Sequence, residues 1–305
     1  MNQFQTKQQS HWYYFTIIYS FTTSALFVSS WTCTNKIPIR TTPLFLEKQQ
    51  LGTFEPLNTS KTKRKVRILD YISQNNTLTF EDGYNIQRDL LNQQLERIEH
   101  NRKNEDHIIE QWYNDSNSSN QGYDCVMFLE HEPVYTLGRS SDPSFIFNNT
   151  NNVEISHTDR GGEVTYHGIG QLVVYPILDL RGYRKDIHWY IRALEEVILQ
   201  TLRSMNLTSP SRSDDYTGIY ILNQNIKSKI ASIGIKSRRW VTMHGLAVNV
   251  NSESLENFEC IVPCGLVGFN VTCVNYLGRD NVSVEEFKEF LIPAFEDVFR
   301  VTLVE

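Results

Sequence analysis

The chain has few cysteines, no large basic region and no long, purely apolar run. It holds five cysteines in 305 residues and carries a formal net charge of −6. Five cysteines are too few and too clustered for a disulfide scaffold, which favours a reducing compartment. The missing basic field argues against nucleic acid as a partner. The apolar stretch Trp12–Val28 is short for a membrane span and is broken by threonine and serine, so we expect no membrane association of the mature protein.

Recognisable metal and nucleotide motifs are also missing. Cys260, Cys264 and Cys273 are four and nine residues apart (264−260 and 273−264), and no pair of closely spaced histidines follows them. That spacing matches no common zinc site. The glycine-rich segment 160–171 has neither the order of a P-loop nor that of a dinucleotide-binding fingerprint. We therefore predict no metal site and no cofactor.

The first 65 residues have the composition of an organellar targeting leader. Trp12–Val28 follows a single lysine and ends in small residues, like the apolar part of a signal peptide. Residues 29–46 are rich in threonine and serine and contain basic but no acidic residues, as transit peptides do. Together these stretches predict a bipartite leader into a plastid, with a mitochondrial presequence as the alternative. We predict a leader and linker at 1–65 and a folded domain at 66–305.

Helical and strand patterns alternate after residue 65, which predicts an α+β domain with a mixed β-sheet core and flanking helices. Apolar spacing predicts a helix after Asp82, another after the capping residue Asp186, and a last one that opens at Ser283 and is kinked at Pro293. Pro176 predicts that its own strand lies at a sheet edge or contains a bulge. The predicted strands are Val66–Ile72, Cys125–Leu129, Leu172–Leu178, Ile219–Leu222, Ile230–Ile235 and Leu246–Val250.

Cys264 lies between a proline and a glycine, where a nucleophile at the tip of a tight turn would stand, although a structural cysteine also fits. A thiol with an ordinary pKa near 8.5 is only a few per cent ionised at neutral pH, so it needs a base or a cation beside it. Lys229 begins an apolar strand, and a lysine with little water around it could stabilise a thiolate. His167 and His244 are alternatives, and residue types alone leave the choice open.

Four segments in sequence order resemble the octanoyl-[acyl-carrier-protein]:protein N-octanoyltransferase family, the lipoyl(octanoyl) transferases. They are Arg160–Gly168, Lys229–Gly234, His244–Val250 and Val262–Gly265. Three further segments match as well, so that the resemblance extends over about residues 66–300; they are Glu130–Arg139, Gln171–Pro176 and Tyr216–Ile219. Several spaced motifs in order are far more specific than any one of them.

The resemblance implies a fold shared with lipoate and biotin protein ligases, and a catalytic domain at 66–305. It implies transfer of an octanoyl group from octanoyl-acyl carrier protein to a lysine of lipoyl domains, in E2 subunits of 2-oxoacid dehydrogenases and in the glycine cleavage H protein. By motif match, Cys264 is the nucleophile that accepts the acyl group, and Lys229 is the residue that lowers its pKa.

The same resemblance implies a set of residues that bind the acyl chain. They are Arg160, Gly161, Gly162, Glu163, Val164, Thr165, Tyr166, His167, Ser232, Ile233, Gly234, Gly245, Leu246 and Ala247. Glu163 departs from the family, which usually has glutamine there, and Ile169 stands where the family usually has proline. Two other activities are compatible with the residues: an ATP-dependent lipoate-protein ligase of the same superfamily, and a non-catalytic module that binds an acylated protein.

Overall fold

The computed structural model describes residues 54–57, 63–74, 76–103, 124–147, 149, 151–207, 210–213, 216–223, 226–262 and 270–305. Most of the predicted leader therefore lies outside the described residues. Among those described, no helix is both long and apolar enough to cross a membrane.

The described helices confirm the three predicted from apolar spacing. They are α1 (Phe80–Lys103), α2 (Ile187–Ser204) and α3 (Val284–Phe299). Helix α1 begins before Asp82 because the Thr79 hydroxyl accepts a hydrogen bond from the Asp82 amide at 3.1 Å and so caps the first turn. Asp186 and Ser283 cap the other two helices in the same way, at 3.0 Å each. Helix α3 continues through Pro293 for another turn and a half.

The strands form one large mixed sheet and one small sheet. They are β1 (Arg64–Asp70), β2 (Cys125–Leu129), β3 (Val134–Leu137), β4 (Glu154–His157), β5 (Thr165–His167), β6 (Gln171–Ile177), β7 (Pro210–Arg212), β8 (Ile219–Asn223), β9 (Ile226–Arg238), β10 (Val241–Asn249), β11 (Asn270–Val271) and β12 (Val301–Val304). Nine of them follow the order β12-β1-β2-β6-β10-β9-β8-β7, with β11 beside β9, and the other three follow the order β4-β3-β5. Parallel and antiparallel pairs occur together, which confirms the predicted α+β class with a mixed sheet.

Apolar side chains cover both faces of the large sheet. Helices α2 and α3 pack on one face in a cluster that includes Phe295 and Phe299, and Phe54 and Leu57 contact the same cluster from outside the predicted domain. Helix α1 covers part of the other face. The small sheet contributes a third cluster. Of the predicted site residues on β9 and β10, Ile233 and Leu246 pack in the cluster under α2 and α3, whereas Ala247 belongs to the cluster on the face of α1.

Pro176 lies in the interior of the large sheet, so of the two predicted alternatives, an edge or a bulge, the edge is wrong. Its strand β6 is flanked by β2 and β10, and Pro176 pairs with Val126 of β2. On the β10 side the regular ladder stops at the Leu246–Val174 pair, and His244 takes a left-handed φ of 56°. The proline, which has no N–H to donate, therefore lies where the neighbouring strand β10 already departs from the regular ladder.

We expect Gly245→Ala to destabilise the protein by about 2 kcal/mol, because the site is overpacked by even one methyl group. A Cβ at Gly245 would lie 2.2 Å from the Val174 carbonyl oxygen and 2.7 Å from Pro176 Cδ. Thermal unfolding of the purified variant measures this. Gly161→Ala is the matched control, since its Cβ would meet only Ile235 O at an ordinary 3.6 Å. Equal unfolding midpoints for the two variants would contradict the expectation.

Candidate functional site

Lys229 is a buried lysine on an interior strand of the large sheet. Only 6% of the residue is exposed, and its Nζ lies 5.7 Å from the centre of the fully buried Tyr220 ring. The sequence identified Lys229 as an unusual lysine because its neighbours are apolar, and its burial agrees with that interpretation. Removing an ammonium group from water is costly unless it has a partner or a function.

A β-bulge turns Lys229 toward the same face of the sheet as Ser232. Lys229 pairs with Tyr220, whereas the preceding residue of β8 pairs with Ala231, so Ile230 is the extra residue. Ile230 and Ala231 both join the apolar cluster under α2. In a regular strand, residues three apart face opposite sides of the sheet. Because the bulge inserts one extra residue between them, Lys229 and Ser232 face the same side. Lys229 and Ser232 therefore both lie on the face opposite α2.

The predicted acyl-binding segments come together next to this lysine. Strand β8 pairs with residues 226–231 of β9. After residue 231, the same edge of β9 is occupied by the loop that follows Arg160, where the Gly161 N–H donates to Ile235 O at 2.9 Å. On the other side of β9, Gly245 pairs with Gly234, and the two following residues of β10 pair with Ile233 and Ser232. Gly161 is exposed and Ser232–Gly234 is half-buried, which leaves an accessible surface between the loop and the strand.

Arg160 holds the shape of this loop. Its guanidinium donates to Thr136 O at 2.7 Å, to Thr136 Oγ1 at 3.0 Å, to Glu163 O at 2.8 Å and to Gly161 O at 3.1 Å. Glu163 is half-buried, and burial is the main effect that raises the pKa of its carboxyl group. The charge of Asp142 also raises this pKa, whereas a hydrogen bond with the Asp142 backbone and the charge of Arg160 lower it. Four charge-assisted hydrogen bonds to the protein itself make Arg160 a structural brace of the loop.

The second half of the loop is buried rather than open. Val164 and Tyr166 belong to the third apolar cluster together with Ile261. Thr165 and His167 are also buried, and Leu246 and Ala247 of β10 belong to the clusters on the two faces of the sheet. These buried residues form the packed layer next to the accessible surface between the loop and β9.

His167 is one of the two histidines considered as a base for Cys264. Its Nδ1 lies 2.7 Å from Gln171 Oε1, and Gln171 in turn donates to Asn249 Oδ1 at 2.9 Å. Burial lowers the pKa of His167 to about 3, with a further contribution from the nearby His131. The imidazole is therefore neutral at physiological pH and supplies no positive charge to a thiolate, and with so low a pKa it is also a weak base for the thiol.

His244, the other histidine considered, belongs to a network that the sequence did not reveal. Its Nε2 lies 3.1 Å from Asp159 Oδ1, and Asp159 also accepts hydrogen bonds from Tyr84 and Lys236. These hydrogen bonds, that of His244 first, hold the pKa of Asp159 well below its usual range. The His244 backbone N–H donates to Gln87 Oε1 at 2.7 Å, which fixes the left-handed residue in place. Asp159 directly precedes the glycine-rich segment 160–171, and this position is the only feature of the sequence that could have pointed to Asp159 as a site residue.

Cys264 lies outside the described residues, as do the other residues of segment 263–269. Both ends of the segment are described. Val262, at one end, donates its N–H to a backbone carbonyl at 2.9 Å. At the other end Val271 of β11 pairs directly with Lys229. The strand that follows the Cys264 segment is thus the parallel neighbour of the strand that carries Lys229.

The chain matches the family described as lipoyl protein ligase A/B catalytic domain over residues 105–296. It is 46% identical over 178 residues to an octanoyltransferase of Gloeobacter violaceus, an alignment that covers 58% of this chain and 77% of that protein. It is 34% identical over 251 residues to a chloroplastic octanoyltransferase of Arabidopsis thaliana, covering 79% of this chain and 81% of the relative.

Among solved structures, the chain is similar to an archaeal bipartite lipoate protein ligase from Thermoplasma acidophilum. The TM-score is 0.52 at 16% sequence identity, and the match covers 80% of this chain and 86% of that one. At this identity the similarity concerns the fold alone. It confirms that the predicted fold is like that of lipoate protein ligases.

Proposed function

We propose that this chain, which belongs to the lipoyl protein ligase A/B catalytic-domain family and is an octanoyltransferase, forms an acyl-thioester on Cys264 during transfer. The donor is octanoyl-acyl carrier protein. The acceptor is a lysine of lipoyl domains, in E2 subunits of 2-oxoacid dehydrogenases and in the glycine cleavage H protein. The relatives named octanoyltransferases support transfer of an octanoyl group, and the lipoyl protein ligase family supports an acceptor that carries a lipoyl domain.

The observation that carries the proposal is the placement of Lys229. It is a buried lysine on the accessible face of the sheet, and β11, which follows the Cys264 segment, pairs with it. A buried ammonium group beside a thiol favours the thiolate, because each charge compensates the burial of the other.

In the first step the Cys264 thiolate attacks the carbonyl carbon of the octanoyl thioester. A new C–S bond forms to Cys264, the C–S bond to the carrier breaks, and the carrier thiolate takes a proton from the Lys229 ammonium. One thioester replaces another, so the step needs no energy source. The exposed Gly162 allows its backbone N–H group to approach the developing oxyanion.

In the second step the acceptor lysine attacks the acyl-enzyme. Lys229, now neutral, takes the proton that the acceptor amine loses, while an amide bond forms and the Cys264 thiolate leaves. This restores the starting thiolate and ammonium. Conversion of a thioester to an amide is favourable, so no ATP is required. The octanoyl chain lies along the half-buried surface of Ser232–Gly234, with the buried loop and β10 residues beneath it.

Incubation with octanoyl-acyl carrier protein, without acceptor, should add the mass of one octanoyl group to the enzyme, and peptide mapping should place it on Cys264. Addition of a lipoyl domain should then move that mass to the domain. A parallel reaction with free lipoate and ATP tests the ligase activity and should give no product. Product from lipoate and ATP alone, or the absence of any acyl-enzyme, would overturn the proposal.

We also propose that residues 1–65 form a leader and linker, and that the leader directs the catalytic domain at 66–305 into a plastid, with a mitochondrion as the alternative. The acid-poor, hydroxyl-rich composition of residues 29–46 supports this, and the Arabidopsis thaliana relative is a chloroplastic enzyme. A full-length fusion to a fluorescent protein distinguishes a plastid from a mitochondrion.

A further inference from the structure

Gly218 packs directly against the side chain of Lys229. It precedes β8 with a φ of 122°, a conformation that residues with a side chain rarely adopt. A Cβ at this position would lie 2.8 Å from Lys229 Cε, 3.4 Å from Lys229 Nζ and 2.5 Å from the Ala231 carbonyl oxygen. The bare backbone of Gly218 thus forms one wall of the space that the lysine side chain occupies.

Glu195 of helix α2 holds the Gly218 backbone in place through a hydrogen bond. Its side chain is fully buried, and its Oε1 accepts a hydrogen bond from the Gly218 N–H at 3.1 Å. Its Oε2 accepts one from Arg192 at 2.6 Å and lies 3.3 Å from Arg212 Nε. Two arginines therefore hold the carboxylate, and the carboxylate holds the turn. None of the chemical steps described above uses this buried charge.

We infer that Glu195 and Gly218 are positioning residues for Lys229: the carboxylate anchors the glycine, and the glycine determines where the lysine ammonium lies. The inference rests on the proposed role of Lys229 in lowering the pKa of Cys264. A buried carboxylate with two cationic partners is costly to maintain, which is explained if it fixes a turn at the active site. An ammonium displaced by an ångström stabilises a thiolate less.

The first test is Gly218→Ala, with Gly278→Ala as the matched control. Gly278 also has a left-handed φ, of 84°, but a Cβ there would have no atom within 4 Å. Both variants thus place an alanine at a positive φ, and only the first adds a Cβ that meets Lys229 and the Ala231 carbonyl oxygen. We expect Gly218→Ala to slow alkylation of Cys264 at pH 7 roughly tenfold and to shift the alkylation profile to higher pH. Gly278→Ala should retain the wild-type profile, with thermal unfolding confirming that both are folded.

The second test is Glu195→Gln, with Glu196→Gln as its control. The single amide oxygen can accept from Gly218 or from Arg192 but not from both, so the turn loosens. Glu196 also pairs with Arg212 but makes no hydrogen bond to Gly218. We expect only Glu195→Gln to shift the alkylation profile in the direction of Gly218→Ala. This variant introduces no steric clash and therefore tests the inference independently of the first.

The outcomes separate this inference from the proposed function. A profile that moves in Lys229→Met but not in Gly218→Ala or Glu195→Gln overturns the positioning role and leaves the function intact. A profile that does not move in Lys229→Met removes the role of the lysine and the inference with it. In the Lys229→Met background, Gly218→Ala should cause no further shift, since the two changes act through one side chain. An additional shift there would mean that Gly218 acts by another route.

Discussion

We expect Cys264→Ser to lower the rate of octanoyl transfer by at least about 10³-fold. A thiolate is a strong nucleophile at neutral pH when a cation stabilises it, whereas a serine hydroxyl stays neutral under the same conditions. The substitution changes one atom, so loss of activity cannot be assigned to loss of volume. The rate is measured as transfer from octanoyl-acyl carrier protein to a purified lipoyl domain, and intact mass shows whether an acyl-enzyme forms.

Cys260→Ser is the matched control for this experiment. Cys260 is a free, half-buried cysteine four residues before Cys264 (264−260), and it packs in the cluster next to the small sheet. We expect this variant to transfer octanoate at close to the wild-type rate and to form the acyl-enzyme. Retained activity in Cys264→Ser, or an octanoyl group found on Cys260, would show that the nucleophile has been assigned to the wrong sulfur.

The second large effect is expected from Lys229→Met, which should lower the transfer rate by about 10² to 10⁴-fold. Methionine keeps the length and the apolar part of the side chain but removes the ammonium group. Two effects combine: the thiolate loses its stabilising cation, and the acceptor amine loses its base. Because a nearby cation lowers the pKa of a thiol, its removal should raise the pH at which Cys264 reacts with an alkylating reagent.

Lys227→Met controls for a general loss of charge. Lys227 lies two residues earlier on β9, and its Nζ is 4.6 Å from the centre of the same Tyr220 ring, closer than that of Lys229. It is less buried than Lys229 and has no role in the proposed steps. If Lys227→Met and Lys229→Met lowered the rate equally, the effect would come from the charge of the strand rather than from one positioned ammonium group.

The sequence was a good guide to local structure. The apolar spacing located all three described helices, and the capping hydroxyl and carboxylate groups gave two of their starts, because both signals depend on neighbours within one or two turns. The spacing predicts the first helix to start after Asp82, which is too late, because apolar spacing alone does not show that Thr79 caps the first turn. The short strands of the small sheet were missed, since three or four residues carry too little periodic signal.

The error at Pro176 has a different origin. A proline lacks the N–H that an interior strand normally donates, so the sequence predicts an edge or a bulge. What the sequence could not show is that the neighbouring strand already departs from the ladder at His244, and that Gly245 leaves room for the proline ring. This compatibility exists only between two strands that are distant in sequence.

The sequence by itself determined the chemistry available to this protein: a cysteine framed by proline and glycine, a lysine in an apolar strand, and a glycine-rich loop in an order typical of one family. Only the tertiary structure decided which way the lysine and the glycine-rich loop face. The bulge at Ile230 turns Lys229 toward the accessible face, and Glu195 acts on it through Gly218. The physical reason is that residue types fix what a side chain can do, whereas its direction depends on hydrogen bonds to strands and helices elsewhere in the chain.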